Sequence, residues 1–173
     1  MKLAELLEKT EYEVRQGSTD QEVKGLAYDS RKVSEGFAFA CISGSMQDGH
    51  DFIPEVVKKG AKVLVVQKEV EAPEDVTVIR VKNTRLALAL MSAAWFDYPA
   101  EKLKTIGITG TKGKTTTSYM IKSILEQGGI KTGLIGTIEV IIGDRRQDAK
   151  NTTPESYEVF RLLSEMKQAG CQY

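Results

Sequence analysis

The stretch GITGTKGKTTTS, residues 107–118, constrains this chain more than any other. A strand-like run, Thr105-Ile106-Gly107-Ile108-Thr109, leads into it, and a helix-forming sequence begins at Lys114. A glycine turn between a strand and a helix N-terminus makes a phosphate cradle. Unpaired backbone N–H groups point outward there, and the helix dipole adds partial positive charge. Gly110 and Gly113 let the backbone curl without side-chain obstruction. Lys114 can reach terminal phosphates, and Thr115 can offer its hydroxyl to a magnesium ion. The full G-x-x-x-x-G-K-[ST] pattern is not met, because Ile108 stands where its first glycine belongs. The turn therefore reads as a variant P-loop. A plain glycine turn with a solvated lysine would have to meet the strand, turn and helix requirements together by coincidence.

The rest of the chain reads as an α/β protein in two parts. Its 173 residues allow one or two domains. In the first part, Leu3, Leu6 and Leu7 suggest a short helix over 2–9, and strands are expected at 23–28 and 37–43. A helix over 51–61 is started by Pro54 and stopped at Gly60. The run 62–67 is continuously apolar, as a strand covered on both faces would be, and 76–81 reads as another strand. Asn83 can cap a helix that is apolar nearly all round, so that helix should be buried or wedged between domains.

Pro99 and the charged residues after it mark a boundary, giving domains 1–100 and 101–173. The second part is expected to hold strand 104–109, helix 114–127 stopped by Gly128 and Gly129, and strands 131–136 and 137–142. The segment GDRRQD reads as a turn between strands or a loop. Pro154 should open a last helix with Val159, Leu162, Leu163 and Met166 on its apolar face. These elements are too few for a complete nucleotide-binding sheet, so the chain reads as a piece ending inside its second domain.

Composition narrows the function. Lys plus Arg and Asp plus Glu both number 24. That balance argues against a generic binder of nucleic acid or anionic membranes. Cys41 and Cys171 form no zinc or disulfide pattern and read as reduced thiols. The charged N-terminus is unlike a signal peptide, and no apolar run approaches the ~20 residues of a membrane helix. A cytoplasmic protein is expected.

The run ITGTKGKTTT closely resembles the ATP loop of the Mur ligases of peptidoglycan synthesis, with Lys112 at the family's variable position. Residues 28–61, containing DSR, a glycine, FAFA and DGHDF in order, resemble the family's uridine-nucleotide domain. The NTTP at 151–154 is similar to the substrate loop of those members that add the third peptide residue. The resemblance covers nearly the whole chain. It implies a small mixed α/β uridine-nucleotide-binding domain followed by the start of a P-loop, mostly parallel-sheet ATPase domain.

The resemblance also implies an activity. It is ATP-dependent amide ligation through an acyl phosphate, on a UDP-N-acetylmuramoyl dipeptide and an amino acid, either meso-diaminopimelate or L-lysine. ATP and Mg2+ would be the cofactors, and a monomer is expected. Gly110, Thr111, Lys112, Gly113, Lys114, Thr115 and Thr116 would hold ATP, with Lys114 catalytic and Thr115 a metal ligand. Tyr28 and Ser30 would line the uridine-diphosphate site, with Ser45, Met46 and Gln47 over the uracil. Asn151, Thr152 and Thr153 would hold the muramoyl-peptide end. The family's magnesium-binding glutamate, carbamylated lysine and amino-acid domain would lie beyond Tyr173, so these residues alone should be inactive.

Other readings stay open for single residues. Tyr28 can be an ordinary strand aromatic and Ser30 part of an Asp-Ser turn. Arg31 can bind phosphate or pair with Asp29. His50, the only histidine, suits capping or loop packing better than catalysis. Trp95 and Phe96 read as core or interface residues. Competing functions for the whole are a P-loop NTPase regulatory module and a non-catalytic UDP-sugar-binding module.

Overall fold

The structure, a computed structural model, describes residues 1–44, 47–149 and 153–173. It divides into two compact units, Met1–Trp95 and Phe96–Tyr173. The division falls five residues before the boundary placed at residue 100 from the sequence.

The first unit is built on a five-stranded sheet ordered β1-β5-β4-β3-β2. Its strands are β1 (Glu13–Gln16), β2 (Gly25–Ala27), β3 (Phe37–Ala40), β4 (Val63–Val66) and β5 (Thr77–Arg80). β2 through β5 pair in parallel, and β1 joins β5 antiparallel at the edge. All four residues of β4 are buried, which explains its unbroken apolar run: both faces are covered. One face packs Phe39, Leu64, Val66 and Val78 with Ile53 and Val56 of helix α2 (Ile53–Lys58). On the other, helix α3 (Thr84–Trp95) packs against β3, and α1 (Leu3–Leu6) against α3. Asn83 caps α3 as its sequence position suggested, accepting from the N–H groups of Arg85 at 2.9 Å and Leu86 at 3.0 Å.

The second unit contains α4 (Lys114–Gln127), an antiparallel meander and α5 (Ser156–Gln168). The meander is β6 (Gly133–Ile135), β7 (Glu139–Ile142) and β8 (Arg145–Asp148). Leu162 and Met166 of α5 pack onto Val140 and Ile142 of β7, with Leu103 and Cys171. α4 runs over the whole span expected of it, and Gly128 and Gly129 end it.

Two expectations need correction. The segment GDRRQD is a tight turn followed by a strand, because β8 forms a ladder with β7 although all its residues are exposed. The strand expected at 104–109 does not form. Lys104 N–H reaches the carbonyl of Gln172 at 2.9 Å, but Thr105 to Thr109 find no ladder partner among the described residues. A strand is a pairing and not a property of its residues alone. Ile106 is accordingly 52% exposed.

Candidate functional site

In the second unit, Gly113 is the N-cap of α4 and has left-handed backbone, φ 80° and ψ −6°. An L-residue pays about 1–2 kcal/mol for that conformation. No atom lies within 4 Å of where a Cβ at Gly113 would sit, so the space in front of the turn is open. The first helical bond runs from Thr117 N–H to Gly113 C=O at 2.9 Å. The N–H groups of Lys114, Thr115 and Thr116 therefore have no acceptor within the helix, and they project at its positive end. Lys114 curls back so that its Nζ donates to Gly110 C=O at 2.5 Å, holding the ammonium over the loop. Thr111, Lys112 and Thr116 are exposed, while Lys114 and Thr115 are half-buried.

α4 is fixed from behind. The Tyr119 hydroxyl donates to Glu139 Oε1 of β7 at 2.5 Å, and Arg146 of β8 donates to the same oxygen at 2.9 Å. Lys122 is buried and paired with Glu126, which also accepts from the Thr132 hydroxyl at 3.0 Å. Except for the i,i+4 pair Lys122–Glu126 within α4, these partners were not legible in the sequence, because they join residues on different elements.

A cavity of about 470 Å³ opens beside the loop. Lys114, Thr115 and Ser118 border it from α4, and Thr153 and Pro154 from the start of the last segment. Lys114, Thr115 and Thr153, nominated from two separate motifs, thus share one cavity. Asn151 and Thr152 lie outside the described residues. Among the described residues there is no cluster of three His, Cys, Asp or Glu able to hold a metal ion.

In the first unit, Tyr28 and Ser30 follow the C-terminal end of β2, and the turn carrying Gln47 follows that of β3. These strands are neighbours in a parallel sheet, and open α/β sheets bind ligands beyond the C-terminal ends of their strands. Ser45 and Met46 lie outside the described residues. Ser30 C=O accepts from Lys59 Nζ at 2.9 Å.

Asp29 answers the question about Arg31. Its carboxylate caps the 3-10 turn Ser30–Lys32 and takes Arg31 Nε at 2.9 Å and Nη2 at 2.7 Å. The Arg31 guanidinium is the main reason the Asp29 pKa falls to about 2. The folded pKa is below the usual ~3.9, so this contribution to stability is present above about pH 4. It is lost as pH falls toward about 2. Asp29→Asn should flatten that part of the acid-unfolding curve, and an unchanged acid limb would refute the assignment.

His50 is buried and structural, as its loop position suggested. Cys41 and Cys171 are buried free thiols, and burial pushes Cys41 up to about 12, with the Asp48 charge adding to it. Among the described residues, no helix is long and apolar enough to cross a membrane.

Comparison with known proteins decides the family. The profile described as Mur ligase family, catalytic domain, matches residues 22–96, and that described as Mur ligase middle domain matches residues 108–173. The chain belongs to the Mur ligase family. One Mur ligase relative, UDP-N-acetylmuramoyl-L-alanyl-D-glutamate–2,6-diaminopimelate ligase of Clostridium perfringens, is 51% identical over 173 residues, covering all of this chain and 36% of its own length. The ligase of the same name from Clostridium tetani is 46% identical, with the same coverage. A solved structure of a ligase so named aligns with 99% of this chain and 34% of its own at a TM-score of 0.77 and 20% identity, a likeness of fold. The chain thus spans about a third of the length of the Mur ligases it matches.

Proposed function

We propose that the full-length protein is an ATP-dependent amide ligase that joins diaminopimelate to UDP-N-acetylmuramoyl-L-alanyl-D-glutamate in the cytoplasm. The observation that carries this is the shared cavity of Lys114, Thr115 and Thr153 at the N-terminus of α4. The names of the relatives supply the substrates, and diaminopimelate is preferred to lysine on that ground. The open space in front of Gly113 fits ATP: a phosphate can approach the N–H groups of Lys114 to Thr116 where a Cβ would block it.

Gly110 to Thr116 hold the phosphates. Lys114 leaves Gly110 C=O to neutralise the charge that develops on the transferred phosphoryl group. Thr115 gives its hydroxyl to magnesium. Asn151, Thr152 and Thr153 hold the muramoyl-peptide end, and Thr153 borders the same cavity, which brings the carboxylate toward the phosphate. Tyr28 and Ser30, with residues 45–47, hold the uridine diphosphate. ATP held there would supply the phosphoryl group that activates the D-glutamyl carboxylate as an acyl phosphate, from whose acyl carbon the incoming amine would displace inorganic phosphate to form the amide. The 173 residues span a third of the relatives, so the reaction is assigned to the longer protein.

The test is to incubate the full-length protein with the UDP-sugar dipeptide, ATP, Mg2+ and either diaminopimelate or lysine. Amide product with diaminopimelate and equimolar phosphate release is expected. No product with either amine would overturn the ligase reading. On the 173-residue chain, UDP should shift amide resonances within residues 28–49. Ser30→Ala should weaken that binding by about 1 kcal/mol, the worth of one hydrogen bond. Unchanged affinity would reduce Ser30 to a turn residue.

A further inference from the structure

We propose that His50 is a positioning residue for the turn that reads the uracil, acting through Asp48. This rests on the uridine reading of residues 45–47. Ser43 and Asp48 form an antiparallel bridge, and Gly44 N–H donates to Gln47 C=O at 2.9 Å, so a tight turn leaves β3 and returns. Asp48 sits at its base. One carboxylate oxygen accepts from the Ser43 hydroxyl at 3.1 Å, His50 N–H at 3.1 Å and His50 Nδ1 at 2.5 Å. The other oxygen accepts from Lys68 Nζ. Lys68, followed by His50, holds the Asp48 carboxyl well below the usual carboxylate range, so it stays an acceptor.

The far side of the imidazole is equally committed. His50 Nε2 accepts from Gln67 N–H at 3.1 Å, just past the end of β4. The Gln67 side-chain oxygen in turn takes Thr84 N–H at 2.8 Å and the Thr84 hydroxyl at 2.6 Å, at the start of α3. Only the tautomer with its proton on Nδ1 can donate to Asp48 and accept from Gln67 at once. The charged or titratable neighbours are Asp48, Lys68, Asp51 near Lys68, and the Cys41 thiol near Asp48. The imidazole side chain is 6% exposed, so it does not touch a ligand itself. It ties Asp48, and through it Ser43, to the end of β4, and so holds the two ends of the turn after β3.

Ring 15N–1H correlation of the 173-residue chain near neutral pH tests the tautomer directly. A protonated Nδ1 and a bare Nε2 are expected, and the opposite tautomer or a doubly protonated ring overturns the proposal. UDP added to wild type should move the His50 Nδ1–H and Gln67 amide resonances together with those of 43–48, although the ring is out of reach. A silent pair overturns it. His50→Leu should weaken UDP binding by about tenfold, roughly 1.4 kcal/mol. His50→Asn, which keeps a donor toward Asp48, should recover most of that loss. Equal affinity in His50→Leu and wild type sinks the positioning role while leaving the uridine site standing. A folded wild type that ignores UDP sinks the uridine reading itself, and this proposal with it.

Discussion

Lys114→Ala in the full-length protein is expected to lower amide-forming turnover by at least about 100-fold, the scale seen when one preorganised charge-stabilising donor is removed. UDP-sugar binding should stay near wild type. The reason is where the ammonium sits. Lys114 is the first residue of α4, its side chain folds over the loop to Gly110 C=O, and it borders the same cavity as Thr115 and Thr153. Removing it leaves the N–H groups of the helix N-terminus in place, so phosphate can still bind. The charge that spreads over the phosphoryl oxygens during transfer then has one cation fewer. The residues proposed to bind uridine belong to the other compact unit, which makes the separation of effects testable. Turnover and UDP-sugar affinity should be measured side by side. Turnover within tenfold of wild type would remove Lys114 from the mechanism.

Gly49→Ala is expected to destabilise the first unit by about 1–3 kcal/mol, the cost of overpacking a tight interior. A Cβ there would lie 2.6 Å from Ile42 N, 2.9 Å from the Cys41 carbonyl carbon and 2.9 Å from Ile42 O. All three are backbone atoms just past β3, so no side chain can swing aside. Gly49 N–H also donates to Ile42 C=O at 2.8 Å, which draws the two segments together. Urea unfolding should show a lower midpoint with an unchanged slope. Gly107→Ala is the control, since nothing lies within 4 Å of its Cβ position, and it should be close to neutral. A Gly49→Ala midpoint equal to wild type would mean that the close approach is not as drawn. The glycine of the DGH motif is thus explained by packing, with no need of ligand chemistry.

The elements that announced themselves in the sequence carry their own stop signals or an apolar run. α4 begins after Gly113 and ends at Gly128, and β4 is four consecutive buried residues, three valines and a leucine. Those missed or misread depend on a partner. β1 (EVRQ) and β8 (RRQD) are polar and almost wholly exposed, and only their ladders with β5 and β7 make them strands. The run 105–109 has strand-like residues and no ladder. Of the candidate site, the turn that opens α4 was legible because glycine at Gly113 meets a local backbone requirement. The Asp48–His50–Gln67 chain was not, since its two halves lie 17 residues apart and the second is a backbone N–H.

The sequence by itself determined the α/β class and the glycine turn that opens α4, because each is a local requirement of backbone conformation or apolar patterning, and its motifs carried the resemblance to the family. Only the tertiary structure decided that Thr153 shares a cavity with Lys114 and Thr115, and that the His50 ring is committed to Asp48 and Gln67. The physical reason is the same in both cases. Which donor finds which acceptor, and which side chains border one space, depend on how the elements pack.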